Sequence, residues 1–243
     1  MEWRDEAIVL GVRRHGEASV ILELMTADHG RHMGMVRGGR SRSMQPVLQA
    51  GNSVVAVWRA RIEEHLGTYV IEPVEQRTSR IMASQAALHG INHIGQLLRL
   101  LPEREAHRGI YETILLIAGH IDEPRIAPAL MVRFELALLQ ELGFGLDLSQ
   151  CAASGATQDL IYVSPRTGRA VSRSAGELWA HRLLTLPAFL REGGALSGPD
   201  LADIAAGFRL TGYFLERDLF APRGQVLPEG RRAYAALALS ENA

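Results

Sequence analysis

The chain contains no lysine, and all 26 of its basic residues other than histidine are arginines. This absence excludes Schiff-base chemistry, a pyridoxal-phosphate anchor and the lysine of a phosphate-binding loop. Residues 34–41 have the glycine spacing of such a loop, but Arg40 stands where lysine is required. Nucleotide hydrolysis is therefore not expected here. Arginine instead suits bidentate contacts with phosphates and stacking on bases.

Cysteine and long apolar runs are also scarce. Cys151 is the single cysteine, so an internal disulfide is excluded and a reducing compartment is the simplest setting. The first residues lack the basic start and apolar core of a signal peptide. No apolar run approaches the roughly 20 residues that span a bilayer. We therefore expect a cytoplasmic protein that does not associate with membranes.

Acidic residues are absent between Asp28 and Glu63, although the whole chain has 27 of them and a net charge of −1. These 34 positions carry a formal charge of +6, from Arg31, Arg37, Arg40, Arg42, Arg59 and Arg61. A local cationic stripe is typical of proteins that bind polyanions such as nucleic acids. The alternative is an ordinary solvated basic face. The stripe contains no cluster of carboxylates, so a metal-dependent nuclease is not indicated.

The first 75 residues have the alternation and turn signals of strands, at 7–12, 19–25, 31–36, 53–59 and 67–71. Five short strands predict a small closed barrel, and the OB-fold is the commonest such barrel that binds polyanions. Residues 37–43 should form an exposed loop, and Arg59 and Arg61 should share one face of the fourth strand. Trp58 falls on the opposite face, which leaves a core role and base stacking both open.

After Pro73 the apolar pattern becomes helical, at 81–101, 106–121, 124–142, 176–190, 199–219 and 230–239. Residues 144–175 are irregular and strand-like, with a hairpin expected at 159–168. The prediction is an α+β protein with an OB-fold domain at 1–78 and a helical domain at 79–243. Residues 147–175 would form a small inserted ribbon within the second domain.

Residues 133–155, RFELALLQELGFGLDLSQCAASG, strongly resemble the central helix and following loop of the RecO family of bacterial DNA-repair proteins. Short segments at 7–10, 16–19, 26–30, 37–41 and 48–51 look like the barrel of that family. The order of elements agrees over nearly the whole chain, and the motifs are less specific after residue 175.

The resemblance implies an N-terminal OB-fold, a helical domain with an inserted ribbon, and a recombination mediator without a catalytic step. Such proteins bind single- and double-stranded DNA and anneal complementary strands. They engage the acidic tail of single-strand-binding protein (SSB), and with RecR they help load RecA at SSB-coated gaps. A nucleoid-associated location follows. The alternative is an adaptor whose contacts with SSB and RecR dominate and whose DNA binding is incidental.

The resemblance also assigns a role to Arg133, because the family's pocket for the SSB tail uses an arginine at this position. A guanidinium can bind a terminal carboxylate while an apolar groove takes the tail's phenyl ring. Arg125 is a second candidate for the same pocket. The alternative for Arg133 is a surface salt bridge with Glu135 or Glu141.

Many family members hold zinc in the ribbon with two Cys-x-x-Cys pairs. Here the four corresponding positions are Cys151, Ser154, Ser172 and Ala175. One thiolate cannot make a tetrahedral site, and serine is a poor zinc ligand. We therefore expect no metal and no other cofactor, with the ribbon held by packing and turns.

Overall fold

The computed structural model describes residues 1–191 and 198–240. The chain forms two compact units, Met1–Asp122 and Glu123–Ala243. Residues 192–197 and 241–243, which fall in the expected helical domain, lie outside the described residues. Within the described ranges, no helix combines the length and apolarity needed to cross a membrane.

The first unit begins with a five-stranded barrel. Its strands are β1 (Glu2–His15), β2 (Ser19–Thr26), β3 (Gly30–Val36), β4 (Ser53–Arg59) and β5 (Thr68–Glu75). The barrel closes in the order β1-β2-β3-β5-β4, and only the β3–β5 pair is parallel. The predicted α+β class with an N-terminal OB-type barrel is confirmed.

Strand β1 closes the barrel because it pairs with two partners along its 14 residues. Its first half pairs with β4 and its second half with β2. A shift of register between Val9 and Gly11 lies close to the change of partner. A bulge of this kind bends a strand, as a barrel requires.

Both faces of β1 are buried where its sequence is a continuous apolar run. Ala7 and Val9 face the barrel core. The barrel is followed by a short helix, α1 (Thr78–Ala83), and by α2 (Gln85–Leu98) and α3 (Arg108–His120). Ile8 and Leu10 face α2 and α3. The barrel strands end at Glu75, near the expected boundary at residue 78, but the compact unit extends to Asp122. It does so because α2 and α3 cover this outer face of β1.

The segment between β3 and β4 closes one end of the barrel. Val47 and Leu48 insert into the core, where Leu48 is 1% exposed. Trp58 is equally buried, and its indole Nε1 donates to the carbonyl oxygen of Leu66 at 3.0 Å. The structure therefore assigns Trp58 to the core and not to base stacking.

The second unit contains α4 (Ala127–Glu141), α5 (Arg173–Gly176), α6 (Leu201–Phe214) and α7 (Glu229–Ser240), with a π-helical turn at Leu215–Phe220. A three-stranded sheet has the order β7-β6-β8, formed by Ala170–Ser172, Leu160–Val163 and Leu184–Thr185. The predicted helix at 176–190 is wrong. That segment forms short 3-10 turns around β8, because Leu184 and Thr185 pair with β6.

Candidate nucleic-acid interface

The loop after β3 presents Arg37 and Arg42 to solvent, as predicted from its glycines and serines. Gly38 has a φ of +68°, a left-handed conformation that glycine adopts without strain. A Cβ on Gly39 would lie 2.5 Å from Val20 Cγ2, so the loop can approach the barrel only with glycine there. The buried Val47 and Leu48 anchor the other end of the segment. The two arginines are therefore displayed on a fixed loop.

Arg40 belongs to the same loop but is tied to the β1–β2 turn. Its guanidinium donates to the carbonyl oxygens of Gly16 and Glu17. Its backbone N–H donates to the carbonyl oxygen of Ala18 at 3.1 Å. The side chain remains exposed, so Arg40 joins two loops at the barrel mouth and still adds positive charge there.

Arg59 and Arg61 are exposed near the end of β4. Arg59 lies 2.8 Å from Glu2, with both side chains more than half exposed. The hydrogen bond from Arg59 lowers the pKa of the Glu2 carboxyl. Exposed pairs of this kind contribute little to stability, so a phosphate can compete with Glu2 for Arg59.

The loop that carries Arg61 is held by a residue that lies well outside the barrel sequence. The guanidinium of Arg104 donates to the carbonyl oxygens of Glu63, Glu64 and His65. Arg104 has a φ of +64°, which is uncommon for a residue with a side chain. Its contacts maintain this conformation, and in turn they fix the β4–β5 loop.

Arg31 differs from the other arginines of the acid-free stripe because it is only 8% exposed. Its guanidinium Nη1 lies 3.1 Å from Glu23 and 3.2 Å from Glu103. Nη2 donates to the carbonyl oxygen of Leu101. The guanidinium of Arg31 is thus paired with two carboxylates, which leaves it unsuited to contact a phosphate.

Two exposed arginines that the sequence interpretation missed, Arg13 and Arg14, lie at the end of β1. Arg13 belongs to a row of residues that lie opposite one another on neighbouring strands of the barrel. The row continues through Ile21, Met35 and Thr68 and ends at Arg59. Neighbouring strands lie about 4.8 Å apart, so this row spans about 19 Å between its terminal arginines. The signal was the Arg-Arg pair before the Gly16 turn, which nearby acids masked in the charge count.

Aromatic side chains cluster at one end of the barrel, where they stack on and hydrogen-bond to one another. Trp3 stacks on His29 with ring centroids 4.2 Å apart, and the Tyr69 hydroxyl lies 2.8 Å from His32 Nδ1. Burial, assisted by the charge of Arg104, lowers the pKa of His32 to about 4. The buried Tyr69 and His32 are therefore part of the core and not a stacking platform for bases.

The second set of candidate residues, Arg133 and Arg125, lies in the helical unit. Arg133 is half-buried on α4, and its Nη2 donates to the carbonyl oxygen of Phe189 at 2.6 Å. Arg125 is exposed just before α4 and lines a cavity of about 590 Å³ together with Leu201 and Ile204 of α6. A cationic group beside apolar side chains suits a peptide that ends in an aromatic residue and a carboxylate.

The ribbon segment places three of the four zinc-motif positions together, namely Cys151, Ser154 and Ser172. The Sγ of Cys151 accepts a hydrogen bond from the backbone N–H of Ser172 at 3.3 Å. Burial opposes ionisation of the thiol, but hydrogen bonds from Ser154 and Ser172 outweigh it and lower the pKa of Cys151 to about 6. Across residues 1–191 and 198–240, no group of three or more histidine, cysteine or acidic side chains could hold a metal ion.

This protein therefore belongs to the α+β class, with an N-terminal OB-type barrel that carries exposed arginines on its loops and a helical unit that follows it in the chain. The family model for the N-terminal part of recombination protein O matches residues 1–77, and the model for the C-terminal part matches residues 86–225. The chain belongs to the RecO family of DNA-repair proteins.

Curated relatives named "DNA repair protein RecO" cover nearly the whole chain. The Methylorubrum populi protein is 57% identical over 241 residues, which are 98% of each chain. The Methylocella silvestris protein is 58% identical over 97% of this chain and 95% of its own. The Brucella abortus protein is 54% identical over 96% of this chain and 94% of its own.

Proposed function

We propose that this protein is a non-catalytic recombination mediator that binds single- and double-stranded DNA through the arginines of its barrel unit. It anneals complementary strands, engages the SSB tail, and acts with RecR to promote RecA loading at gaps. Membership of the RecO family supports this role.

The observation that carries the DNA-binding proposal is a set of exposed, unpaired arginines. In the described part of the chain, five exposed arginines of the barrel have neither an ion pair nor a side-chain hydrogen bond: Arg13, Arg14, Arg37, Arg42 and Arg61. Arg40 and Arg59 extend this surface from anchored positions. Such a surface contacts phosphates without regard to sequence, and each contact releases condensed counterions. A cationic face that holds two strands at once also lowers their mutual repulsion, which favours annealing.

A salt series tests the proposal. Fluorescence anisotropy of a labelled single-stranded oligonucleotide should show affinity that falls steeply with salt. With four to six phosphate contacts, log K should change against log salt with a slope of about −3 to −4. The Arg37→Ala/Arg42→Ala protein should bind more weakly, with a slope shallower by about 1.4.

The matched control is Arg166→Ala/Arg232→Ala, which removes two exposed arginines from the helical unit and changes the net charge equally. It should retain wild-type affinity if the barrel is the binding surface. Wild-type binding that is insensitive to salt would contradict the proposal. Equal losses in the two double variants would show a general charge effect and no defined surface.

We further propose that Arg133 and Arg125 bind the SSB tail. The observation that supports the role of Arg125 is the cavity beside it, which combines its guanidinium with the apolar side chains of Leu201 and Ile204 and with one carboxylate, that of Asp200. Arg133 is not among the described residues that line this cavity, so its role rests on the family resemblance. Titration of a labelled peptide with the SSB tail sequence should give weaker binding for Arg125→Ala. Arg133→Ala requires a parallel melting measurement, because its bond to Phe189 also contributes to the fold.

The adaptor alternative makes a different prediction for the same variants. If partner contacts dominate, Arg125→Ala should abolish repair in cells, and Arg37→Ala/Arg42→Ala should leave repair intact. If DNA binding is central, the loop variant should lose repair as well.

A further inference from the structure

A groove of about 600 Å³ runs along the outer face of the barrel beside α2. Its floor is formed by Gly11, Ile21 and Met33. Gly11 and Met33 both lie opposite Glu23 of β2, and Ile21 lies two residues before Glu23 on the same strand. Gln49 lies on one margin, and Asn92 of α2 lies on another. A second cavity of about 330 Å³ at the barrel mouth shares Arg13 and Gln49 with it. The two cavities therefore lie next to each other within the first unit.

The groove is cationic although it contains an acid. Arg13, Arg31 and Arg99 line it, and Glu23 is the one acid among the described lining residues. Glu23 is already neutralised, because Arg99 Nη2 lies 2.7 Å and Arg31 Nη1 lies 3.1 Å from its carboxylate oxygens. The Nε of Arg31 is buried and has no hydrogen-bond partner among the described residues. Glu103 also pairs with Arg31, so the remaining positive charge is that of Arg13, which suits an anionic ligand.

A phosphate alone would not account for the rest of the groove. The partly exposed Ile21 and Met33 offer an apolar floor, and Gly11 contributes no side chain to it. A glycine inside a strand often marks a place where a ligand approaches the backbone closely. The floor therefore fits a flat apolar group that is joined to a phosphate.

The margins supply polar groups for the edge of such a ligand. The side-chain amide of Gln49 donates to the carbonyl oxygen of Gln45 at 2.8 Å. The side-chain amide of Asn92 donates to the carbonyl oxygen of Leu88 at 2.9 Å. These bonds orient the two amides. Each amide still has one N–H donor and a carbonyl acceptor for a ligand. Donors and acceptors around an apolar floor match the edge and face of a nucleobase.

We propose that this groove receives one unpaired base of a single DNA strand, with the adjoining phosphates on Arg13 and Arg99. This inference rests on the proposed DNA binding and assigns part of it to a defined subsite. A base paired in a duplex cannot enter, so the groove favours single strands at gaps over double-stranded DNA.

The test compares oligothymidylate with an oligonucleotide of equal length that has several abasic positions and the same number of phosphates. Wild-type protein should bind the abasic strand about tenfold more weakly, a loss within the range for one base contact in single-strand binding. Gly11→Val should remove this difference by filling the floor.

Two further variants keep the result interpretable. A Cβ on Gly11 would meet only Arg99 at 3.5 Å and Glu23 at 3.8 Å, so Gly11→Ala should fold normally and retain most of the preference. Gln49→Ala leaves β1 unchanged and should reduce the preference without affecting the melting temperature. If Gly11→Val fails to fold, Gln49→Ala carries the test.

The outcomes separate this inference from the proposed function. Equal affinity of the wild type for the two strands would overturn the base subsite and leave phosphate binding intact. A preference that survives in both Gly11→Val and Gln49→Ala would also overturn it. Absence of any binding to single strands would overturn the proposed function together with the subsite.

Discussion

The guanidinium of Arg231 on α7 holds the carboxylate of Glu135 on α4 through two hydrogen bonds, at 2.8 and 2.9 Å. The Arg231 side chain is 7% exposed and that of Glu135 is fully buried. Thr211 of α6 also donates to this carboxylate. One ion pair therefore joins three helices of the second unit.

Removal of one partner should be costly because it leaves a buried charge uncompensated. Arg231→Met should lower the free energy of unfolding by about 3–5 kcal/mol. Urea denaturation followed by circular dichroism measures this. The double variant Glu135→Leu/Arg231→Met should recover much of the loss, because it removes both charges. Arg232→Met is the matched control, since this neighbouring arginine is exposed and should change stability little.

Acid should destabilise the barrel through His32. The pKa of His32 is lowered from 6.5 to about 4 in the folded protein, chiefly by burial. The unfolded chain therefore binds the proton first as the pH falls below 6.5, and stability is lost down to about pH 4. The shift corresponds to a loss of about 3 kcal/mol.

The measurement is the free energy of unfolding at several pH values between 7.5 and 4, for wild type and His32→Phe. The variant should be less stable at pH 7.5, because Tyr69 loses its hydrogen bond to His32. Its stability should depend less on pH than that of the wild type. His15→Gln alters an exposed histidine and should keep the wild-type dependence. Identical pH profiles for wild type and His32→Phe would show that His32 does not titrate in this range.

Arg104 should position Arg61 without contacting DNA itself. Arg104→Ala and Arg104→Gly both remove the contacts with the loop carbonyls, and glycine also relieves the left-handed backbone by about 1–2 kcal/mol. Both variants should increase hydrogen exchange in residues 60–67 and weaken binding to single strands. In an Arg61→Ala background, Arg104→Gly should cause no further loss of affinity. Additive losses would indicate that Arg104 contacts DNA directly.

The ribbon should be stable without zinc, and its thiol should be protected. Cys151 is 1% exposed, so a thiol reagent should react with the native protein only when the segment opens. A pKa of about 6 means that access, and not ionisation, limits this reaction at pH 7.

A chelator should leave the melting temperature unchanged. A fall in melting temperature on chelation, restored by zinc, would show a metal site.

The strand pattern alone predicted the barrel, because alternation and turn residues are local properties of the chain. Exposure of Arg37 and Arg42 also followed locally, since glycine and serine surround them. The helix expected at 176–190 failed because Leu184 and Thr185 satisfy a distant strand, β6, and the local apolar pattern cannot show that pairing.

The sequence by itself determined the strand order along the chain, the family and the presence of a basic stripe without lysine. Only the tertiary structure decided which arginines of that stripe can meet a phosphate. The guanidinium of Arg31 is paired with the carboxylates of Glu23 and Glu103, although Glu103 is 72 residues away in the chain. Arg13 and Arg59 lie at the two ends of one row on the outer face, because strand register aligns them across the barrel. Charge counts average over sequence, whereas pairing and burial depend on contacts between residues that are distant in the chain.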